Sequence, residues 1–243
     1  MSEHLTSINE RIEKAGKVEN AVRSAFVNRL KCVEFPPPPY ALKILSVSAG
    51  NGVWDFCAIN AIPNQCEVTA TDIVDCPISL EDQDFLKSNC KWQFSKVEAE
   101  KSLPFEENIF DLVIHQDVIE HVLNPYQFIN EQQRVLKSGG FLLFGTPNLL
   151  RPANNIIKLM LGKLRFPVKI GSNAEIGDYI HIQEFNEWNL RNLVEEVGLT
   201  VLNIDYCFWG FHPFNIRFSS MPENNIGKTM CHHINVFSQK LTR

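Results

Sequence analysis

Two glycines, an aspartate beyond them and one short acid–histidine run are where side-chain type and spacing can do chemistry in this 243-residue sequence. In KILSVSAGNG the apolar residues Ile44, Leu45 and Val47 stop at Gly50 and Gly52. Such glycines allow positive φ and let something bulky approach the backbone. Asp72 closes the apolar stretch VTATD. There a carboxylate can accept both hydroxyls of a ribose, and it can equally cap a turn. A dinucleotide fingerprint would need a third glycine where Asp55 stands, and the Gly-Lys-Ser/Thr of a phosphate loop is missing. Further along, Asp117, Glu120 and His121 form D-x-x-E-H. Two carboxylates and a histidine on one turn can ligate a divalent ion. The same letters also start helices, and the reading adopted assigns no metal.

These groups must be held by regular elements. The sequence is 44% hydrophobic and 21% charged with net charge −5, the profile of a globular chain with no basic block for nucleic acid or anionic membrane. Seven scattered cysteines without a C-x-x-C suggest neither a disulfide framework nor a zinc site. No apolar stretch approaches the roughly 18 residues that span a bilayer. The polar, acidic start is unlike a signal peptide, so the expected location is cytoplasmic.

Leu5, Ile8, Ile12, Val22, Phe26 and Leu30 recur at helical spacing, interrupted near Gly16. Pro36 to Pro39 then form an extended spacer. Residues 1–41 therefore read as an N-terminal helical cap and spacer, and 42–243 as the main domain. Strands are predicted at Ile44–Val47, Glu67–Asp72, Trp92–Ser95, Phe110–His115 and Gly140–Thr146, with helices near 53–62, 80–87 and 125–136 between them. Strict alternation predicts a parallel α/β sheet with helices on both faces. The rhythm breaks at about 149–182, an insertion. A helix near 187–197 follows, then two strands, Thr200–Phe208 and His233–Ser238, expected to pair antiparallel at a sheet edge.

At ILSVSAGNG, VTATDI, LPFEENIFDLVIHQDVIEHV, NPYQFINEQQRVLKSGGFLLFGTPN, HIQEFNEWNLRNLVEEVGL and HHINVFSQK, the sequence resembles the class I S-adenosylmethionine-dependent methyltransferases, closest to their small-molecule branch of ubiquinone-type and sugar or lipid enzymes. The resemblance implies a Rossmann-like, doubly wound, seven-stranded sheet with the last strand antiparallel. It implies S-adenosylmethionine as cofactor, lined by Ser48, Ala49, Gly50 and Gly52. Asp72 would hold the ribose, and Ile73, Glu98 and Ala99 the adenine. His115 and Gln116 would face the methionine end. It also places His181 toward the acceptor, as a candidate general base. The expected function is methyl transfer to a small-molecule acceptor, as O-methylation of a sugar, lipid or secondary-metabolite-type hydroxyl. Ser46 and Ser48 stand where the family usually has an acid and a glycine, which motivates the alternative of a non-catalytic or weakly active cofactor-binding scaffold. The insertion, expected to act as lid and acceptor site, and the aromatic stretch Trp209–Met230 would wall the acceptor pocket; such walls equally suit a homodimer interface.

Overall fold

A computed structural model describes residues 7–99, 101–162, 181–211, 216–217 and 225–241. Two helices come first, α1 (Ile8–Lys14) and α2 (Lys17–Lys31). Gly16 separates them, and its amide donates to Glu19 Oε2 at 2.9 Å to start α2. Then β1 (Leu42–Ser46), α3 (Val53–Ala61), β2 (Cys66–Asp72), α4 (Leu80–Asn89), β3 (Lys91–Lys96) and β4 (Phe110–Gln116) alternate. They continue through a short 3-10 turn (Ile119–His121), α5 (Pro125–Val135) and β5 (Leu136–Pro147). After α6 (Pro152–Leu161) come α7 (Glu187–Glu196), β6 (Leu199–Phe211), the two-residue β7 (Ile216–Arg217), α8 (Asn225–Thr229) and β8 (Cys231–Lys240).

Local chemistry sets these boundaries. Ser79 caps α4, accepting from the Asp82 amide at 3.1 Å. Asn124 accepts from the Gln127 amide at 3.1 Å at the head of α5, where Pro125 has no amide proton to leave unpaired. Asn186 and Asn189 cap α7 reciprocally. The fifth strand starts at Leu136 rather than Gly140 because Lys137–Gly140 bulge out between the pairs Phe110–Leu136 and Leu112–Phe141. Within the aromatic stretch Trp209–Met230 lie the five-residue α8 and the end of β6, which runs on to Phe211.

The sheet runs β3-β2-β1-β4-β5-β8-β6-β7. Seven full strands carry it, with the two-residue β7 at the margin. β8 runs antiparallel to both β5 and β6 and lies between them, so the expected antiparallel pair forms, with β8 inside the sheet. Each face is covered. Leu45, Val113, Phe128, Phe144 and Leu190 pack one side. Ile44, Leu112, Leu143, Phe26 and Leu30 pack the other, so α2 shares the core of the sheet. Among the described residues no helix is long and apolar enough to cross a membrane.

Gly52 shows why the loop after β1 needs glycine. Its φ is +78°, and an added Cβ would meet Ile78 Cδ1 at 2.9 Å and Ile8 Cδ1 at 3.4 Å. The bulky approach anticipated from sequence is thus made, at this residue, by core side chains. Gly52→Ala should cost about 1–3 kcal/mol from left-handed strain plus the clash. Urea unfolding would measure it; an unchanged midpoint would contradict this account of the loop.

Candidate functional site

The β1 loop and the end of β2 form one hydrogen-bonded unit. Thr71 Oγ1 donates to the Ser46 carbonyl at 3.1 Å, and the Ala49 amide to the Thr71 carbonyl at 2.7 Å. Gly50 has φ +53°, and an added Cβ would touch only the Ser48 carbonyl oxygen, at 4.0 Å; its amide donates to Asp72 Oδ2 at 3.0 Å. Asp72 Oδ1 accepts from the Ile73 amide at 2.8 Å. Asp72 is therefore a turn cap in the ligand-free chain, and its half-buried carboxylate stays within reach of solvent. Ser48 has φ +52° without being glycine, strain of the kind that concentrates at functional sites.

The adenine residues from the sequence lie beside this unit. Ile73 is 52% exposed and Val74 50%, an apolar pair left open next to Asp72. The Val97 amide donates to the Asp72 carbonyl at 2.8 Å, which brings the segment after β3 alongside. Glu98 is exposed and paired to Lys101 at 2.7 Å, and Ala99 packs on the core.

His115 corrects an expectation. Its ring stacks on Phe144 at 4.8 Å and meets Phe128 edge-on at 5.1 Å, and burial lowers its pKa to about 3. Strand alternation puts His115 and its neighbour Gln116 on opposite faces of the sheet, and His115 faces the core of Phe128 and Phe144. Gln116 converges with Asn235 and His233 over Gly145, where a Cβ would lie 2.1 Å from Gln116 Oε1 and 2.2 Å from Asn235 Oδ1. Among the described residues both amides and His233 Nδ1 lack partners, so a ligand or solvent must satisfy them.

Just beyond, Asp117 has φ +54°. Its Oδ1 meets His233 Nε2 at 2.9 Å. Burial would raise this carboxyl, but the facing His233, His181 and His121 hold it below its ordinary value. Asp117 also lines a cavity of about 430 Å³ with Arg11, Lys14, Arg23, Asn51 and Trp54. Arg23 is almost fully buried, and its hydrogen bond is to a neutral group, Asn20 Oδ1 at 2.9 Å. It makes no ion pair among the described residues. A buried guanidinium without a carboxylate is costly, and the cavity that Arg23 lines with Arg11 and Lys14 also takes in the acids Glu19 and Asp117. Sequence reasoning missed Arg23; the signal was a cation flanking the apolar row Val22, Phe26 and Leu30.

On the other side of Asp117, Glu120 is buried and accepts from Thr146 Oγ1 at 2.8 Å. Burial, then the charge of Asp117, raise its pKa well above normal. The Glu120 carbonyl accepts from the Ile182 amide at 2.9 Å, which docks the HIQEF segment. There His121 and His181 rings meet at 4.9 Å, and His181 Nδ1 lies 2.7 Å from Glu184 Oε1. Arg151 grips Glu184 with two bonds of 2.6 Å, and Asn154 adds one of 2.7 Å. Glu184 and Arg151 were also missed, although the i, i+3 spacing of His181 and Glu184 was visible. In place of the D-x-x-E-H trio, Glu120, His121 and His181 bring ligand-type atoms within 4.8 Å of one another, while Asp117 turns to His233. Of the insertion, residues 163–180 lie outside the described residues, as do Phe214 and Phe218 of the aromatic stretch.

A crevice at the carboxyl ends of β1, β2 and β4, with a glycine loop and a strand-end acid, defines a nucleoside-binding α/β fold of the methyltransferase kind. Residues 45–144 match the family model described as a methyltransferase domain. The ubiquinone biosynthesis O-methyltransferase of Maricaulis maris is 27% identical over 133 residues, covering 53% of this chain and 51% of the relative. That of Colwellia psychrerythraea is 26% identical over 164 residues, 68% and 63% of the two chains. The chain thus spans about half the length of the first of these relatives. Among solved structures, an S-adenosylmethionine-dependent methyltransferase from Aquifex aeolicus aligns over 96% of both chains with TM-score 0.57 and 13% identity. The [4+2]-cyclase SpnF aligns over 95% of this chain and 85% of its own with TM-score 0.61 and 15% identity. Residues 45–144 thus carry a match to the methyltransferase domain, the fold is that of class I S-adenosylmethionine-dependent methyltransferases, and the chain is distantly similar to the ubiquinone biosynthesis O-methyltransferases. S-adenosylmethionine is the methyl donor that this family implies.

Asp72→Asn removes the charge and keeps an oxygen for only one of the two amides, from Gly50 and Ile73, that the two carboxylate oxygens accept. It should lower stability by about 1 kcal/mol and weaken S-adenosylhomocysteine binding about tenfold, the scale of one charge-assisted hydrogen bond. Calorimetry decides; equal affinity would return Asp72 to turn capping alone.

Proposed function

We propose that this chain transfers a methyl group from S-adenosylmethionine to a small-molecule acceptor, most simply a hydroxyl of a sugar, lipid or secondary-metabolite-type compound. The observation that supports it most is the position of Asp117. It lines the cavity beside the glycine loop and also faces the His121–His181 pair, so one carboxylate adjoins the cofactor side and the candidate acceptor side. Ser48, Ala49, Gly50, Gly52 and Asp72 would hold the cofactor with Ile73, Glu98 and Ala99. Gln116 would face its methionine end, and Arg23 is suited to its carboxylate.

The cofactor brings an activated methyl group, so the protein's work is alignment, exclusion of water and removal of the acceptor's proton. His181 is suited to the last task. With Glu184 as acceptor, the proton on Nδ1 is fixed, which leaves Nε2 as the basic nitrogen. His181 would take the hydroxyl proton as the acceptor oxygen bonds to the methyl carbon, with the carbon–sulfur electron pair left on sulfur. The Arg151 grip holds Glu184 in place beside the imidazolium.

Calorimetry with S-adenosylhomocysteine, followed by methyl transfer to an acceptor panel, tests this reading. Micromolar binding with turnover is expected. No binding at millimolar ligand would sink it, and binding without turnover on any acceptor would favour the scaffold alternative. Glu184→Gln should lower turnover about 10- to 100-fold while leaving S-adenosylhomocysteine affinity unchanged. Undiminished turnover would remove His181 from the base role.

A further inference from the structure

Another cavity, of about 490 Å³, shares no described lining residue with the one beside the glycine loop. It lies at the head of α7, against α8 and the ends of β5 and β6. Helix α7 turns Leu190 and Val194 into the core. Glu187 and Trp188, four and three residues before Arg191, share another face with it, and all three line the cavity. Trp188 is 68% exposed, and Leu150, which also lines the cavity, is 37% exposed. The core stripe of α7 is complete without Trp188, so stability does not account for a large ring held in solvent.

The polar lining is arranged around one acid. Glu187 Oε2 accepts from Lys228 Nζ at 3.1 Å and from the Tyr206 hydroxyl, and Lys228 Nζ also lies 5.3 Å from the centre of the Tyr206 ring. Burial would raise the Glu187 carboxyl, but these bonds hold it below its ordinary value. Arg191 contacts Glu187 at 3.6 Å and Glu195 at 3.5 Å, too long for good hydrogen bonds, so its guanidinium keeps donors to offer. Two cations and one acid thus line this cavity in a chain whose net charge is −5. That surplus suits an anionic group. Asn186 and Thr229 add amide and hydroxyl ends beside the indole. A purely apolar ligand would strip water from these ends without replacing its bonds. A polyhydroxylated ring, with an apolar face for Trp188 and hydroxyls for the polar neighbours, satisfies both.

We propose that this cavity is the recognition pocket of the acceptor and takes a sugar unit that carries an acidic group, a uronate or a phosphate. The inference rests on the methyl-transfer reading and narrows its acceptor to an anionic sugar. The register of the sheet gives the reach. Thr146, Ile234 and Tyr206 lie side by side across β5, β8 and β6, which at ordinary strand spacing sets Tyr206 about 10 Å from Thr146. Thr146 donates to Glu120, the neighbour of His121. Leu150 of the cavity is likewise followed by Arg151, whose partner Glu184 meets His181. A hydroxylated acceptor anchored at Lys228 and Arg191 would extend toward His181 over that distance.

Ligand-observed NMR titration in the presence of S-adenosylhomocysteine tests the pocket. The probes are glucuronate, galacturonate and the 6-phosphates of glucose and mannose, set against the neutral parent sugars and inorganic phosphate. Acidic sugars should saturate in the millimolar range, with the neutral parents and phosphate about tenfold weaker. Lys228→Gln should cost the acidic sugars about tenfold and leave the neutral ones unchanged, and Trp188→Ala should weaken both several-fold. The side chains of Trp188 and Lys228 both reach solvent, so each variant should fold and bind S-adenosylhomocysteine as the wild type does. The tightest of these sugars should also accept methyl, and Lys228→Gln should raise its KM about tenfold with kcat near wild type.

No binding of any acidic sugar at tens of millimolar overturns the proposal. Equal affinity for inorganic phosphate, which would mark an anion site only, overturns it too, as does acidic-sugar binding that survives both substitutions. Sugar binding without methyl transfer removes the acceptor role. If these sugars bind while the wild-type protein binds no S-adenosylhomocysteine, the methyl-transfer reading fails and the sugar pocket stands.

Discussion

Strand order reverses between β1 and β4, and every candidate site residue depends on that reversal. From β1 the chain crosses to β2 and β3 on one side, while β4 and β5 are laid down on the other. The loops that leave β1 and β4 must therefore part, and a crevice opens where they do. One wall is the glycine loop with Asp72, and the other is Gln116 with Asp117. Nothing in the sheet's own hydrogen bonding fills the gap. There backbone and polar side chains face an opening instead of a packed neighbour.

That opening explains a distribution of charge that a core built for stability alone would avoid. Arg23, Asp55, Glu120, Glu184 and the amides of Gln116 and Asn235 are all buried. Glu184 is satisfied by a guanidinium, an amide and an imidazole. The others lack one or more partners, or lack an opposite charge, and each missing partner costs free energy that the surrounding apolar packing must offset. Two carboxyls are driven up by burial, Asp55 and Glu120, whereas Asp117 is driven down by three histidines. Unequal acids in one small region are what proton chemistry near neutral pH requires.

Much of the fold was legible from local pattern. Short branched runs between turn residues gave β1, β2 and β4 to within one or two residues, because strands buried on both faces have little choice of composition. The interruption of the N-terminal helix at Gly16 was readable for the same kind of reason. The start of β5 was not: Lys137–Gly140 looks like a turn, and only pairing with Phe110 makes it a bulge within a strand. The site was readable where backbone conformation limits the residue, as at Gly50, Gly52 and the strand-end Asp72. It was unreadable where distant segments meet. Arg151 and Glu184 are separated by a long stretch of chain, as are Asp117 and His233, and no periodicity links them. His115 was misread because adjacency to a site in sequence says nothing about which face of a strand a ring occupies.

The place of β8 in the sheet has a consequence for how the protein is made. This strand, the last of the described strands to leave the ribosome, is inserted between β5 and β6, both of which precede it in the chain. Until it arrives, two long apolar strands expose unpaired edges to each other and to neighbouring chains, a recognised hazard of aggregation and mispairing. It also carries His233 and Asn235 to the crevice. A nascent chain can thus assemble the β1–β5 half with its glycine loop, but Asp117 stays unpaired and the polar floor under Gly145 stays incomplete until translation of the final strand.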